Sequence, residues 1–382
     1  MTEWNVAPLV PISGTCPDRF SGVRDLFADH IASGMDVGAS LAVFIAGEPV
    51  IELWGGWADA GYTRLWERDS IVNTFSSTKT MTAVCALVLA DRGELDLDAP
   101  VAHYWPGFQN RDILVRHILS HTSGMAAWRE RLPLDAIYDW DRSTDLLARQ
   151  EPWFKPGSAA GYHCWTMGHL VGEVVRRITG TTLGTFLQEE IAGPLGAEFH
   201  IGTWAQTDPL VVPLIQGSPR GRPDGGDGLV QRALYNPFYA VPDVNTVPWR
   251  RAEIGAGNGH GNGFGIAAVQ AIVANDGESL GKRFMSPAGC RRILETQADG
   301  IDLVFGLPIR WGLGYALDPA WMVPGIPDHT VAFWGGNGGS MSFVDFDQRM
   351  SIGYASNRWV EGPHEGDRRV ALVRAIYAAL ER

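Results

Sequence analysis

Thr74-Phe75-Ser76-Ser77-Thr78-Lys79-Thr80-Met81-Thr82-Ala83-Val84 is the segment from which this 382-residue chain is best approached. Ser76 and Lys79 are three residues apart, so a helix places them on one face, one turn from each other. Lys79 is the only charged side chain between Asp69 and Asp91, and the run from Met81 to Ala90 is apolar nearly all round. That pattern marks a buried helix. An ammonium there is costly, and burial lowers a lysine pKa. A lysine so perturbed beside a serine hydroxyl is a Ser–Lys nucleophile arrangement. A serine at a helix start also faces backbone N–H groups that favour developing negative charge. The plainer alternative is that Ser76 caps the helix and Lys79 snorkels to solvent.

Lysine is scarce throughout: Lys79, Lys155 and Lys282 are three of 31 basic residues. Arginine cannot give up its proton at working pH, so position 79 is the one where lysine itself is required. The composition, 45% hydrophobic and 19% charged, is that of an ordinary soluble globular protein, and the length suits two packed sub-domains. A net charge of −12 disfavours nucleic acid and anionic membranes as partners. The cysteines, Cys16, Cys85, Cys164 and Cys290, form no CxxC and no zinc spacing, which argues against a disulfide framework and a metal finger. Met1 to Phe20 lacks a positive n-region, and two prolines break its apolar stretch, so it does not read as a signal peptide. The run Met81 to Ala90 is too short to span a bilayer. A cytoplasmic location is the expectation.

Hydrophobic periodicity predicts a helix over 20–32 and two strands within Ser40 to Trp57, joined around Gly47-Glu48-Pro49. Helices are expected at 76–90, 111–119, 166–178, 183–191 and 264–275. A long loop runs from Gly217 to Gly263. Strands return at 312–317, 330–333, 340–345 and 350–356, before a terminal helix over 367–380. Strands at both ends with helices between suggest a discontinuous α/β domain carrying a helical insert.

Two further segments carry chemistry. Tyr162 follows Pro156-Gly157 and precedes a helix starting near Thr166, a junction from which a side chain can project into a cleft. A tyrosine near a lysine ionises more easily and can serve as general base, although a lone tyrosine more often simply packs. His163 and Cys164 are adjacent and point in different directions, which argues against a Cys/His dyad. In Trp334-Gly335-Gly336-Asn337-Gly338-Gly339-Ser340, glycines at a strand end allow close backbone approach and can offer an N–H to an oxyanion. Neither this segment nor the glycine-rich run Gly255 to Gly265 has a phosphate-loop ending. Gly277-Glu278-Ser279-Leu280-Gly281 matches the GxSxG nucleophile elbow, but a helical pattern precedes it where a strand is needed. Of the fifteen tryptophans, Trp153, Trp165, Trp249 and Trp334 are candidates to line an apolar acyl pocket, with core packing the common alternative.

Taken together, the three segments around Ser76, Tyr162 and Trp334 resemble the serine β-lactamase and penicillin-binding superfamily, and within it the bacterial family VIII carboxylesterases. Ile118-Leu119-Ser120-His121-Thr122-Ser123-Gly124, Pro194-Leu195-Gly196 and Trp311-Gly312-Leu313-Gly314-Tyr315 extend the likeness over nearly the whole chain. The resemblance implies a β-lactamase-like α/β fold, with an antiparallel sheet and terminal helices from 1–75 and 300–382. A mostly helical domain over 76–299 would complete it, with the active site between the two. It implies Ser76 as acylated nucleophile, Lys79 and Tyr162 as the base pair, and an oxyanion hole from the Ser76 N–H and a second N–H on the strand after Trp334, that of Asn337, with Trp334, Gly335 and Gly336 completing the oxyanion and substrate-binding set. His121 reads as a structural histidine.

The superfamily usually has Asn where Cys164 stands and Lys-Thr-Gly where Trp334-Gly335-Gly336 stands. Those residues help hold a β-lactam, and their replacement fits a neutral ester. The expectation is a serine carboxylesterase for small, short-chain esters, with no metal or organic cofactor. The alternatives are a β-lactamase or D-Ala-D-Ala peptidase, a non-catalytic scaffold relative, and an α/β-hydrolase using Ser279.

Overall fold

The computed structural model describes residues 11–217, 226–320, 323–360 and 367–381. Residues 1–10, which carry half of the segment read as lacking an export signal, lie outside them, as do 218–225 of the long loop. The framework is a six-stranded antiparallel sheet in the order Ser13–Thr15, Glu48–Gly56, Gly38–Ile45, Met350–Ser356, Met341–Asp345, Val331–Gly335. The two ends of the chain meet at its centre, where Ala39 pairs with Ser356 and Ile45 with Met350.

Period-2 alternation divides the central strand between two cores. Leu41 and Val43 join Phe27, Ile31, Leu372 and Ile376 of the terminal helices Ser21–Ala32 and Arg368–Leu380. Ala42 and Phe44 face the other way, into the core built around helices Gly263–Ala274 and Thr78–Asp91. Both faces are covered, which is why this strand reads as continuous apolar sequence although its pairing is antiparallel. The expected α/β architecture, an antiparallel sheet with flanking terminal helices plus many helices between, is the one observed.

Local departures have identifiable causes. The strand expected over 312–317 does not form; the chain there makes only bridges from Ala316 to Trp311 and Phe333. Gly314 has φ of +87°, and a Cβ on Gly312 would lie 2.1 Å from the Ile293 carbonyl oxygen. The expected helix at 111–119 is confined to Val115–Leu119, and the one at 183–191 continues through a π-turn at Gln188–Ala192 to Leu195. The segment read as one long loop contains the helices Leu229–Tyr235, Val241–Val244 and Val247–Arg251. Among the described residues no helix is long and apolar enough to cross a membrane.

Candidate active site

Ser76 lies in a 3-10 turn, Phe75–Ser77, immediately before helix Thr78–Asp91, which is buried from Thr78 through Leu89. Phe75 has a φ of +46°, unusual for a bulky residue. Its neighbours hold it there. Thr78 Oγ1 donates to the Phe75 carbonyl at 2.5 Å, and the Thr74 N–H donates to Gly259 O at 2.7 Å. Ser340 Oγ donates to Thr74 O at 2.5 Å and lies 2.8 Å from Ser77 Oγ. The serine is therefore presented by an overdetermined turn. The capping alternative fails, because the helix N-cap is Ser77, which makes no side-chain cap bond.

Lys79 is fully buried, with Nζ 3.2 Å from Ser76 Oγ. Nζ also donates to the carbonyl oxygens of Cys164 and Ala256, both at 2.8 Å. Among the described residues no carboxylate pairs with it. Burial pushes its pKa down to about 7, against a smaller opposing effect from Cys164. The snorkelling alternative is excluded by this burial.

Tyr162 is brought to the same point. Its hydroxyl donates to Ser76 Oγ at 2.7 Å and accepts from Trp334 Nε1 at 3.0 Å, while Lys79 Nζ sits 4.6 Å from its ring centroid. The expectation that a nearby lysine would ease its ionisation is not met. Burial, reinforced by Cys164, pushes the phenol well above its usual pKa, and its hydrogen bonds with Ser76 and Trp334 only partly offset this. Tyr162 is a neutral donor here.

The two histidines build the wall behind it. His121 Nδ1 accepts the His163 N–H at 3.1 Å, its carbonyl accepts the Gly161 N–H at 2.9 Å, and burial drives its pKa well below the usual value. His163 packs between Ser123 Oγ, at 2.6 Å, and Gly161 O, at 2.7 Å, and burial lowers its pKa to about 3. Both are neutral scaffolding, and what Cys164 turns toward Lys79 is its carbonyl.

The third segment closes the site. Strand Val331–Gly335 stops one residue before Gly336, and Asn337 lies in the following turn rather than on the strand. A Cβ on Gly336 would sit 2.1 Å from Thr74 O, so glycine is what lets this turn press against the serine turn. The Gly336 N–H donates to Ser340 O at 3.0 Å, and Asn337 Nδ2 donates to Tyr239 OH at 3.3 Å. The Asn337 N–H has no acceptor among the described residues.

Three contributors were not foreseen from the sequence. Ala256 supplies a carbonyl to Lys79 from the glycine-rich run, whose glycines at alternate positions from 255 to 265 each sit where a Cβ would have no room. A Cβ at Gly259 would lie 2.6 Å from Thr78 Oγ1, and one at Gly257 2.8 Å from Trp165. That period-2 pattern was the available signal. Asp302 is buried, accepting from the Tyr162 N–H at 3.2 Å and from Trp311 Nε1 at 3.1 Å. Phe305 packs on Tyr162 with ring centroids 4.7 Å apart.

Ser279 belongs elsewhere: it is buried after helix Gly263–Ala274, with Oγ committed to Ala268 O at 2.8 Å. His329, Asp345 and Asp347 bring potential metal-ligating atoms together, at the far end of the strand whose near end adjoins Ser340. Asp345 there already accepts from His329 Nδ1 at 2.7 Å and Tyr377 OH at 2.5 Å.

The chain matches the family model described as Beta-lactamase over residues 26–375. It is 30% identical over 368 residues to the esterase/beta-lactamase LipL of Mycobacterium tuberculosis (strain ATCC 25618 / H37Rv), covering 91% of this chain and 83% of that one. It is 32% identical over 382 residues to esterase EstB of Burkholderia gladioli, covering 90% and 91% of the two. Its fold superimposes on the crystal structure of a family VIII carboxylesterase with a TM-score of 0.90 at 38% identity, over 97% of this chain and 100% of that one.

Proposed function

The chain belongs to the beta-lactamase family, and from that footing we propose that it is a serine carboxylesterase acting on small neutral esters with short acyl groups, through an acyl-enzyme on Ser76. The carrying observation is the setting of Lys79. As a neutral amine it has two hydrogens and one lone pair. The Cys164 and Ala256 carbonyls take the hydrogens, which leaves the lone pair for the Ser76 hydroxyl 3.2 Å away. A pKa of about 7 keeps much of the amine neutral near pH 7.

Lys79 takes the Ser76 proton as Oγ attacks the ester carbonyl. The Ser76 and Asn337 N–H groups hold the oxyanion. Tyr162, a neutral donor steadied by Trp334, points its hydrogen bond at the oxygens exchanging on the carbonyl carbon. The carbon–oxygen bond to the alcohol breaks, and the Lys79 ammonium returns its proton to the departing oxygen. Water then enters and gives a proton to Lys79 as its oxygen bonds to the acyl carbon; the bond from that carbon to Ser76 Oγ breaks, Lys79 passes the proton to Oγ, and the acid leaves. This chemistry calls on side chains and backbone alone.

An ester is favoured over a lactam because Trp334-Gly335-Gly336 offers no cation for a lactam carboxylate, and because the esterase relatives align over nearly the whole chain. The name of the relative LipL, an esterase/beta-lactamase, supports weak lactam turnover as a secondary activity. Four cysteines outside any disulfide support a reducing, cytoplasmic setting. The test is mass spectrometry after treatment with a fluorophosphonate, with p-nitrophenyl butyrate and nitrocefin turnover measured in parallel. The adduct is expected on Ser76 and the ester is expected to be the better substrate. An adduct on Ser279, or ester turnover surviving Ser76→Ala, sinks the assignment.

A further inference from the structure

We propose that the tip of the hairpin formed by Ala298–Ile301 and Pro308–Trp311 seats an apolar alcohol portion of the ester, a substrate-class statement that rests on the esterase reading above. Among the described residues nine large hydrophobics are exposed, and four of them fall within seven positions: Ile301 at 60%, Leu303 at 42%, Phe305 at 37% and Leu307 at 45%. They alternate with Asp302, Val304 and Gly306, of which Asp302 and Val304 are buried. The outward apolar face is held in place. Asp302 Oδ1 accepts the N–H groups of Val304 at 2.9 Å, Phe305 at 3.0 Å and Tyr162 at 3.2 Å, and the Leu303 N–H donates to Ala160 O at 2.9 Å. One buried carboxylate thus ties the hairpin tip to the backbone of Tyr162. Contiguous exposed apolar surface beside a cleft marks a binding surface.

The patch is continuous with the site. Phe305 lies 4.7 Å from the Tyr162 ring and 6.1 Å from that of Trp334, and Leu303 and Leu307, two positions to either side of it, are exposed as it is. Its side is set by proton traffic. The departing alkoxide must leave beside the groups that meet its charge, which are Lys79 and the Tyr162 hydroxyl, and not beside the oxyanion N–H groups. Residues stacked on Tyr162 therefore flank the alcohol. The occupant is neutral, because the charged pair on the hairpin, Arg310 and Asp299, is already closed at 3.0 Å.

The test compares acetates of ethanol, butanol and octanol with ethyl esters of acetic, butyric and octanoic acids. It uses the full chain, its Leu303→Ser/Leu307→Ser variant, whose replaced side chains are exposed, and Phe305→Ala. A fully buried methylene is worth roughly fourfold. With partial burial, kcat/KM for the wild type is expected to rise on the order of tenfold to a hundredfold from ethyl to octyl acetate. Both variants should lose most of that slope while keeping the slope on the acyl series. Equal loss on both series, loss confined to the acyl series, or no change overturns the proposal. So does a dimer, seen in sedimentation, that the double variant dissolves with the ester profile intact, since a second copy would then be the occupant. Failure of the esterase reading would show differently, as a wild type with no Ser76 adduct.

Discussion

Two of the cations buried among the described residues, Arg368 and Lys79, are accommodated in opposite ways. Arg368 has Nη1 3.2 Å from Asp36 Oδ1, and donates to the carbonyls of Met35 at 2.9 Å and of Gly338 and Arg358, both at 2.8 Å. Burial pulls its pKa down, but Asp36, with Tyr354 and Asp367, outweighs that and raises it. Lys79 has two carbonyls, a serine and no carboxylate among the described residues, and its pKa falls to about 7. A counter-charge fixes a buried cation as structure, whereas its absence leaves a proton that can move. Arg368 braces, through Gly338 O, the turn that carries Asn337, and Lys79 lies 3.2 Å from the serine oxygen itself. The site needs one permanent charge and one labile charge.

The strongest challenge to this contrast is Lys79→Arg, which keeps the charge and removes the lability. General-base assistance contributes about 10²–10⁴-fold, and the bulkier fork also disturbs the serine turn. Turnover of p-nitrophenyl butyrate is expected to fall at least a thousandfold, on the order given for such bases. Retention of a tenth of the activity would refute the role of lysine as base. The same view fixes the sign of the pH dependence. The neutral amine is the active form, so kcat/KM should rise with pH through about 7 and level off above it. A rate that instead falls through that range would make the ammonium the working form.

Stability should divide the two cations next. Asp36→Asn leaves Arg368 buried without its counter-charge, and breaking such a pair costs about 3–5 kcal/mol, to be read from urea unfolding. A loss below about 1 kcal/mol would mean the carbonyls alone suffice. Lys79→Met should behave oppositely. The lysine pKa is near 7 folded and about 10.4 unfolded, so the folded state disfavours the ammonium. That penalty is fully present below pH 7 and disappears as pH rises past the unfolded value. The variant should gain on the wild type most at pH 6, and the gap should close toward pH 10. A gap independent of pH would point to packing alone.

How much of this could be read in the sequence follows the range over which each signal acts. Ser76 and Lys79 are one turn apart, and local spacing reveals them. Met350–Ser356 was legible because the large residues Met350, Ile352 and Tyr354 alternate with the small residues Ser351, Gly353 and Ala355. Helix Trp140–Arg149 was missed because its buried face includes Ser143 and Thr144, which blurs the apolar stripe. Gly312–Leu317 misled because strand-like residues are interrupted by Gly314 in a left-handed conformation. The partners of Lys79 were illegible for a deeper reason. They are main-chain carbonyls, at Cys164 and Ala256, and every residue has one. Asp302 looked like any loop acid until the fold placed it under Tyr162. The raised pKa of Tyr162 likewise comes from burial that no local pattern announces.

Trp334→Phe gives the smallest expected effect and the finest discrimination between the two members of the base pair. It removes the Nε1 donor on the Tyr162 hydroxyl, 3.0 Å away, and retains an aromatic ring against Trp311 and Phe305. A neutral hydrogen bond contributes about 1 kcal/mol, so kcat/KM should fall roughly fivefold. If Tyr162 donates and Lys79 titrates, the pH midpoint should not move, because the lost bond touches only the donor. If the phenolate were the base, losing a donor that stabilises it would raise the midpoint along with lowering the rate. A fivefold loss at an unshifted midpoint assigns the proton to lysine, and a midpoint displaced upward assigns it to tyrosine.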